Sequence, residues 1–254
     1  MTIDHETKLN LVIGYPLGHS QSPELHKNLY EQRGINAVLL AHLTQDLPAT
    51  IHAIKTLSVA LTAVTIPHKE TILKHLDELS DEVKALGAAN TIINHNNKLK
   101  GYNTDINGIE YALRNIPLQN KTVLIIGAGG AARAAAYVMQ KNKANLLFLN
   151  RTPARAEAII KLMGGKLINK ESLDDLAIDI IINTTPLGMH PNREATPLPN
   201  YRFNLNQTVF DMVYNPGDTA LLKKAKADGA HIISGQDMFY GQALKQVELL
   251  MEVL

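Results

Sequence analysis

Gly127, Gly129 and Ala132 stand in a G-x-G-x-x-A spacing directly behind an apolar run, Thr122-Val123-Leu124-Ile125-Ile126. That pattern suits phosphate binding. Gly127 permits a tight strand-to-helix turn, Gly129 lets backbone approach a pyrophosphate closely, and Ala132 lets the next helix pack on its sheet. The helix start then offers free N–H groups and the positive end of its dipole to the phosphates. A second strand, Asn145 to Leu149, follows a helix running from about Ala131 to Lys141. An NAD-binding unit usually carries an acid at that strand's end, for the ribose 2′-hydroxyl. This chain has Asn150-Arg151-Thr152 there, then Arg155, and no acid until Glu157. A carboxylate repels a 2′-phosphate, whereas a guanidinium binds it through charge-assisted, bidentate hydrogen bonds. These residues therefore read as an NADP site rather than an NAD site. The bland alternative makes Arg151 and Arg155 an ordinary solvated face.

Four further polar clusters sit where strands end or helices begin. Gly14-Tyr15-Pro16-Leu17-Gly18-His19-Ser20-Gln21-Ser22-Pro23 closes the first strand. Ser22 before Pro23 reads first as a helix N-cap, with proline at the first helical position. Two hydroxyls at a helix start would equally suit a carboxylate. Val64-Thr65-Ile66-Pro67-His68-Lys69 follows the third strand, and a lysine there is ordinarily a solvated charge. Gly87-Ala88-Ala89-Asn90-Thr91 reads as a helix C-terminal turn. In Gly101-Tyr102-Asn103-Thr104-Asp105 the acid stands at a helix entry, where capping is the plain role.

The elements that must position these clusters alternate from the start. Strands are expected at Leu9–Ile13, Ala37–Ala41 and Val59–Ile66, and helices at Pro23–Arg33 (stopped by Gly34), Leu47–Thr56 and, briefly, Lys69–Leu76. Ile92–His95 and Lys98–Tyr102 form a hairpin around Asn96-Asn97. Such alternation implies a mostly parallel sheet covered on both faces. Ile106, Ile109, Leu113 and Ile116 recur at helical spacing, so the connector Asp105–Leu118 is expected to be a packed helix. Beyond the glycine-rich unit come strands at Ile178–Asn183, Val209–Asp211 and Ile232-Ile233. The helical segment Met238–Leu254 is expected to return to the first lobe, leaving a ligand cleft at the carboxyl ends of both sheets.

Composition excludes several classes. Lys and Arg total 25 against 24 for Asp and Glu, which offers no electrostatic case for nucleic acid or an anionic membrane. The chain has no cysteine, so disulfides, thiolate ligands and a cysteine nucleophile are ruled out. Ten histidines include no H-E-x-x-H and no close His–carboxylate pattern, so no metal is expected. Its start lacks the basic and apolar regions of a signal peptide, and no apolar run reaches spanning length. The 254 residues can hold two modest domains. A cytoplasmic enzyme is the expectation.

Taken together, these clusters resemble the shikimate dehydrogenases along nearly the whole chain. The resemblance rests on Gly14-Tyr15-Pro16, His19-Ser20-Gln21-Ser22-Pro23 with His26, the Val64 to Lys69 segment, Gly87 to Thr91 and Asn103-Thr104-Asp105. It continues through Gly127 to Ala132, Asn150-Arg151-Thr152, Asn183-Thr184-Thr185-Pro186-Leu187-Gly188-Met189 and Asp211-Met212-Val213-Tyr214-Asn215-Pro216. Gly235-Gln236-Asp237-Met238 with Gln242 completes it.

It implies an α/β protein of two lobes: a substrate-binding, catalytic domain of residues 1–104 plus 237–254, and a Rossmann-like NADP-binding domain of residues 105–236. It further implies NADP-linked interconversion of shikimate and 3-dehydroshikimate, on the route through chorismate to aromatic amino acids. Ser20 and Ser22 would hold the substrate carboxylate. Thr65, Lys69, Asn90, Asp105 and Gln242 would hold the ring hydroxyls, and Tyr214 would close on the substrate. Gly127, Ala128, Gly129, Gly130 and Ala131 would cradle the pyrophosphate, with Asn150, Arg151, Thr152 and Arg155 on the adenosine ribose phosphate. Met212 and Gly235 would line the nicotinamide end, and Asp81 is a weaker cofactor candidate.

Ketone reduction then needs a hydride and a proton donor, for which Lys69 and Asp105 are the candidates, with Lys69 exchanging the proton and Asp105 orienting it. His68 is read as packing rather than a relay. For Met189 and Met238, core filling weighs as much as cofactor contact. Two departures stand out: Ala63 where the family usually has asparagine, and Ala89 in place of valine. Rival readings are a quinate/shikimate dehydrogenase of broader specificity, a non-catalytic sensor of the sugar-like acid or nucleotide, and a generic NADP-dependent reductase. A single activity is expected at this length, in a monomer or homodimer.

Overall fold

The computed structural model describes residues 3–18 and 20–254; His19 lies outside the described residues. The chain divides into two compact units, one holding the residues up to Asp105 together with Gln242–Leu254, the other Ile106–Gly241.

The first unit contains β1 (Lys8–Gly14), α1 (Ser22–Arg33), β2 (Ala37–Leu43), α2 (Leu47–Thr56), β3 (Leu61–Val64), β4 (Glu78–Leu79), α3 (Asp81–Leu86), β5 (Thr91–His95) and β6 (Lys98–Tyr102). Its sheet runs β2-β1-β3-β5-β6-β4. β1 is parallel to β2 and β3, and β4 to β6. β5 runs antiparallel to both its neighbours. Adjacent strand residues point to opposite faces. Val12 therefore joins a core with Leu29, Tyr30, Leu61, Val247 and Leu250. Ile13 joins another with Ile51, Ile54, Val64, Ile72 and Val83. Both faces are covered, as the alternation implies. Asn96 and Asn97, both at positive φ, make the tight turn between β5 and β6.

Some local expectations differ. The short helix expected at Lys69–Leu76 is a tight 3₁₀ turn, Thr71–His75. Ile72 is its one fully buried side chain, too little of an apolar stripe to hold an α-helix. β3 is shorter than the apolar run that suggested it. The connector helix, α4 (Asp105–Ala112), ends earlier than its apolar periodicity, which continues through turns to Ile116.

The second unit holds β7 (Thr122–Ile126), α5 (Gly130–Lys141), β8 (Asn145–Leu149), α6 (Pro153–Met163), β9 (Lys166–Leu167), β10 (Ile180–Asn183), β11 (Thr208–Asp211), α7 (Ala220–Ala227) and β12 (His231–Ser234). α8 (Gly235–Met251) starts here and ends in the first unit. All the strands are parallel, in the order β12-β11-β10-β7-β8-β9. Counted from β7, this is the doubly wound order 3-2-1-4-5-6 read from the other side. The order reverses between β7 and β10.

Candidate active site

Strand direction assembles the first unit's polar residues. The loops after the parallel strands β1 and β3 lie side by side, joined by Tyr15 N–H to the Ile66 carbonyl and Thr65 N–H to the Ile13 carbonyl. Because β5 is antiparallel, it begins at that same edge, and Ala63 pairs with Thr91. Thr91 also pairs with Tyr102, so β6 ends there too. Thr65, Lys69, Asn90 and Asp105 are thus drawn to one sheet edge from three separate loops.

Lys69 Nζ donates to Asp105 Oδ2 at 2.6 Å, with the side chains 21% and 3% exposed respectively. Asp105 Oδ1 accepts from Asn90 Nδ2 at 2.8 Å, and the same amide donates to Gln242 Oε1 at 3.1 Å. Asn90 Oδ1 accepts from the Thr104 N–H at 2.7 Å. The amide is therefore committed on both sides, and the carboxylate it holds is committed to the lysine. Asp105 opens α4, but its carboxylate is taken by Lys69 and Asn90 rather than by capping.

Ser22 is not the N-cap expected of it. Gln21 occupies that position without a side-chain cap, and Ser22 is the first helical residue. Its N–H donates to Ser20 Oγ at 3.4 Å, which brings the two serines together at the helix start. Among the described residues no hydrogen bond joins this pair to Lys69 or Asp105. His68 is buried, with a ring nitrogen 2.9 Å from the Thr44 carbonyl, and so anchors its loop. Ala63 is part of the first unit's core. Gly87 ends α3 in the left-handed conformation, so that cluster is both a helix terminus and the lead into Asn90. Asp81 is exposed and paired with Lys84 at 2.9 Å.

In the second unit Gly127 (φ +114°) turns the chain out of β7 at the strand-order reversal. A Cβ there would collide with Thr184 Oγ1, a hydroxyl that donates to the Ile126 carbonyl at 2.7 Å. Gly129 differs: a Cβ on it would meet nothing within 4 Å, so the space before α5 is open. No side chain caps α5, and its first turn carries no acid. Its free N–H groups suit an anion's oxygens, and a side chain at residue 129 would fill the space those oxygens need. Beyond β8, Asn150 Nδ2 donates to the Thr152 carbonyl at 2.8 Å, closing a small turn. Arg151 and Arg155 are exposed, and among the described residues their guanidiniums have no partner. These residues fit an NADP pyrophosphate and 2′-phosphate.

The ends of β10 and β11 carry a buried network that the motifs contained but did not explain. Asp211 accepts from Thr219 Oγ1 at 2.6 Å, Asn183 Nδ2 at 2.9 Å and the Val213 N–H at 3.1 Å. It thereby fixes the loop bearing Met212 and Tyr214. Tyr214 stacks on Phe239 at 4.4 Å between centroids, and burial raises its phenol pKa. Gly235 is squeezed against the Met212 and Val213 carbonyls, 2.6 Å from where a Cβ would sit. Met238 is buried, as core filling requires, while Met189 is 38% exposed.

Burial pushes the Asp211 carboxyl up from 3.8 to about 6, against the pull of those three donors. Its folded value lies above its unfolded one. The stabilisation is therefore full below about pH 4 and is lost as pH rises through about 6. An Asp211→Asn variant escapes that loss. Its melting temperature relative to wild type is expected to rise between about pH 4 and 6, then level off. A gap that stays flat or shrinks over that interval would contradict the assignment.

A parallel sheet in this order, with a glycine turn at its reversal, defines the dinucleotide-binding class of folds. Residues 12–92 match the family model for the shikimate dehydrogenase substrate binding domain, and residues 110–188 that for shikimate / quinate 5-dehydrogenase. The shikimate dehydrogenase (NADP(+)) of Carboxydothermus hydrogenoformans is 37% identical over 98% of this chain and 93% of its own length. The bifunctional 3-dehydroquinate dehydratase/shikimate dehydrogenase of Arabidopsis thaliana is also 37% identical, and there the chain spans 44% of the plant protein. A crystal structure of a shikimate dehydrogenase in complex with NADP+ matches with a TM-score of 0.93 at 36% identity, covering 99% of this chain and 92% of that one. The Thermus thermophilus enzyme in complex with NADP(H) and shikimate matches at 0.90 and 32%, covering 98% and 95%. The chain belongs to the shikimate dehydrogenase family.

Proposed function

We propose that this protein catalyses the reversible, NADP-linked reduction of 3-dehydroshikimate to shikimate, a step on the way to chorismate and aromatic amino acids. One observation carries the reading beyond family membership: the Lys69–Asp105 pair, locked by Asn90 and Gln242 at a single sheet edge. A sensor that only binds would not require a cation and carboxylate held this closely beside hydrogen-bonding groups for ring hydroxyls.

NADPH, when bound, supplies the hydride to the ketone carbon. Lys69 Nζ gives a proton to the oxygen and recovers it from solvent; in the reverse direction it takes the hydroxyl proton. Asp105 holds the ammonium in place and accepts from a ring hydroxyl. Asn90, Gln242 and Thr65 bind the remaining hydroxyls, Ser20 and Ser22 the carboxylate, and Tyr214 serves on the substrate side. Gly127 to Ala131 hold the pyrophosphate; Asn150, Arg151, Thr152 and Arg155 hold the adenosine end; Met212 and Gly235 serve the nicotinamide. Among the described residues no helix is long and apolar enough to cross a membrane, and no group of three metal-binding side chains occurs. We place the enzyme in the cytoplasm as a monomer or homodimer.

The test is spectrophotometric: purified protein should form NADPH from NADP with shikimate, with slower turnover on NAD and on quinate. Absence of shikimate oxidation with either cofactor would reject the reading. Quinate turned over as well as shikimate would make it the broader enzyme of the same family.

A further inference from the structure

Asn90 is the hinge of the proton-handling pair, and a second set of groups grips it from behind. Thr91 Oγ1 donates to Asn90 Oδ1 at 2.9 Å and lies 3.0 Å from Thr104 Oγ1. Gln246 Nε2 donates to Thr91 Oγ1 at 2.9 Å. Gln246 Oε1 lies 3.0 Å from His26 Nε2, and His26 Nδ1 lies 2.9 Å from the Ser22 carbonyl. Thr91, His26 and Gln246 are 0%, 1% and 3% exposed. Gln242 and Gln246 are one helical turn apart on α8, so the same helix face reaches both Asn90 and Thr91.

We propose that Gln246, braced by His26, is a positioning residue for the Lys69–Asp105 pair: it fixes Thr91, hence the Asn90 amide, hence the Asp105 carboxylate. The inference rests on the reading of that pair as the proton-handling groups. The chemistry of the line supports it. In an apolar interior an unpaired amide or hydroxyl is costly, so these groups hold one another in a single arrangement. Both partners of the His26 ring are oxygens, and it donates to both only as an imidazolium. Burial disfavours that charge. A neutral ring is accommodated by turning the Gln246 amide over, so that its oxygen takes the Thr91 proton, the Thr104 hydroxyl donates to Thr91 Oγ1, and the Thr104 N–H still donates to Asn90 Oδ1. In either arrangement Gln246 stays tied to Thr91, and Thr91 or Thr104 to Asn90. A side chain without polar atoms at residue 246 breaks the line at its centre.

The experiment compares full-length wild type with Gln246→Met, which fills similar volume, and Gln246→Glu, which keeps an acceptor for His26 and, as in the turned-over arrangement, offers Thr91 an oxygen in place of the amide donor. Gln246→Met is expected to lower kcat by about 10- to 100-fold, the scale of a small misplacement at a reacting centre. NADP affinity should hold, and Gln246→Glu should recover most of the turnover. The ¹H–¹⁵N signals of the Asn90 side-chain amide give a readout independent of turnover. They should shift and exchange faster in Gln246→Met. Wild-type kcat and unchanged Asn90 signals would overturn the proposal. So would a loss that Gln246→Glu fails to recover alongside a fallen melting temperature, the mark of mere packing. If wild type itself does not oxidise shikimate, the functional reading fails, while the Asn90 signals still decide whether Gln246 positions the pair.

Discussion

A Lys69→Ala protein is expected to turn over shikimate at least ~100-fold more slowly than wild type, the usual scale for a lost acid–base group. Its NADP affinity should not change, because Lys69 belongs to the first unit and the glycine turn to the second. The size of the effect follows from the local bonding. Lys69 is the sole cation that an ion pair joins to Asp105 among the described residues, and the carboxylate is 3% exposed. Removing the lysine deletes the proposed proton donor and leaves a buried charge held only by an amide. Some stability will be lost as well, since an uncompensated buried charge costs several kcal/mol. Stopped-flow turnover beside an NADP titration separates the two effects. Turnover near wild type with NADP bound normally would remove Lys69 from the mechanism.

The second large effect concerns cofactor choice. Arg151→Ala is expected to weaken NADP about 10-fold, near the lower range for a charge-assisted hydrogen bond, while leaving NAD unchanged. The lower range applies because both guanidiniums are exposed and therefore screened by salt. For the same reason the difference between wild type and variant should narrow at high ionic strength. Equal weakening of NADP and NAD would instead place Arg151 on the shared part of the two molecules.

Much of this architecture could be read before any coordinates. The glycine spacing after an apolar strand pointed to a phosphate-binding turn, because Gly127 and Gly129 have few other uses in that setting; that the turn falls at the strand-order reversal came from the structure. The Asn96-Asn97 hairpin followed from the demand for two positive φ values in a short turn. Local signals failed where tertiary bonding overrides them. Ser22 and Asp105 look like caps in isolation, and only the neighbouring loops reveal that Asp105 is spent on Lys69 and Asn90. The 3₁₀ turn after Lys69 was invisible because the sequence shows which residues there are apolar but not that Ile72 alone among them would be fully buried. The Asp211 network lay inside recognisable motifs, yet no sequence rule says that an aspartate at a strand end will be buried without a cation. Gln246 carried one faint signal, its four-residue spacing from Gln242.

The antiparallel β5–β6 ribbon has a consequence for how this chain tolerates change. Asn90 precedes one arm and Asp105 follows the other, so both ends of the ribbon carry residues of the proposed site while its tip at Asn96-Asn97 points the opposite way. Each arm is five residues, about 17 Å at strand spacing. An epitope or spectroscopic label grafted onto the tip stands off by that length. A single-residue slip between the arms, by contrast, would carry acid and amide out of step at once, so the ribbon behaves as a caliper whose jaws are set by its pairing and whose handle is free.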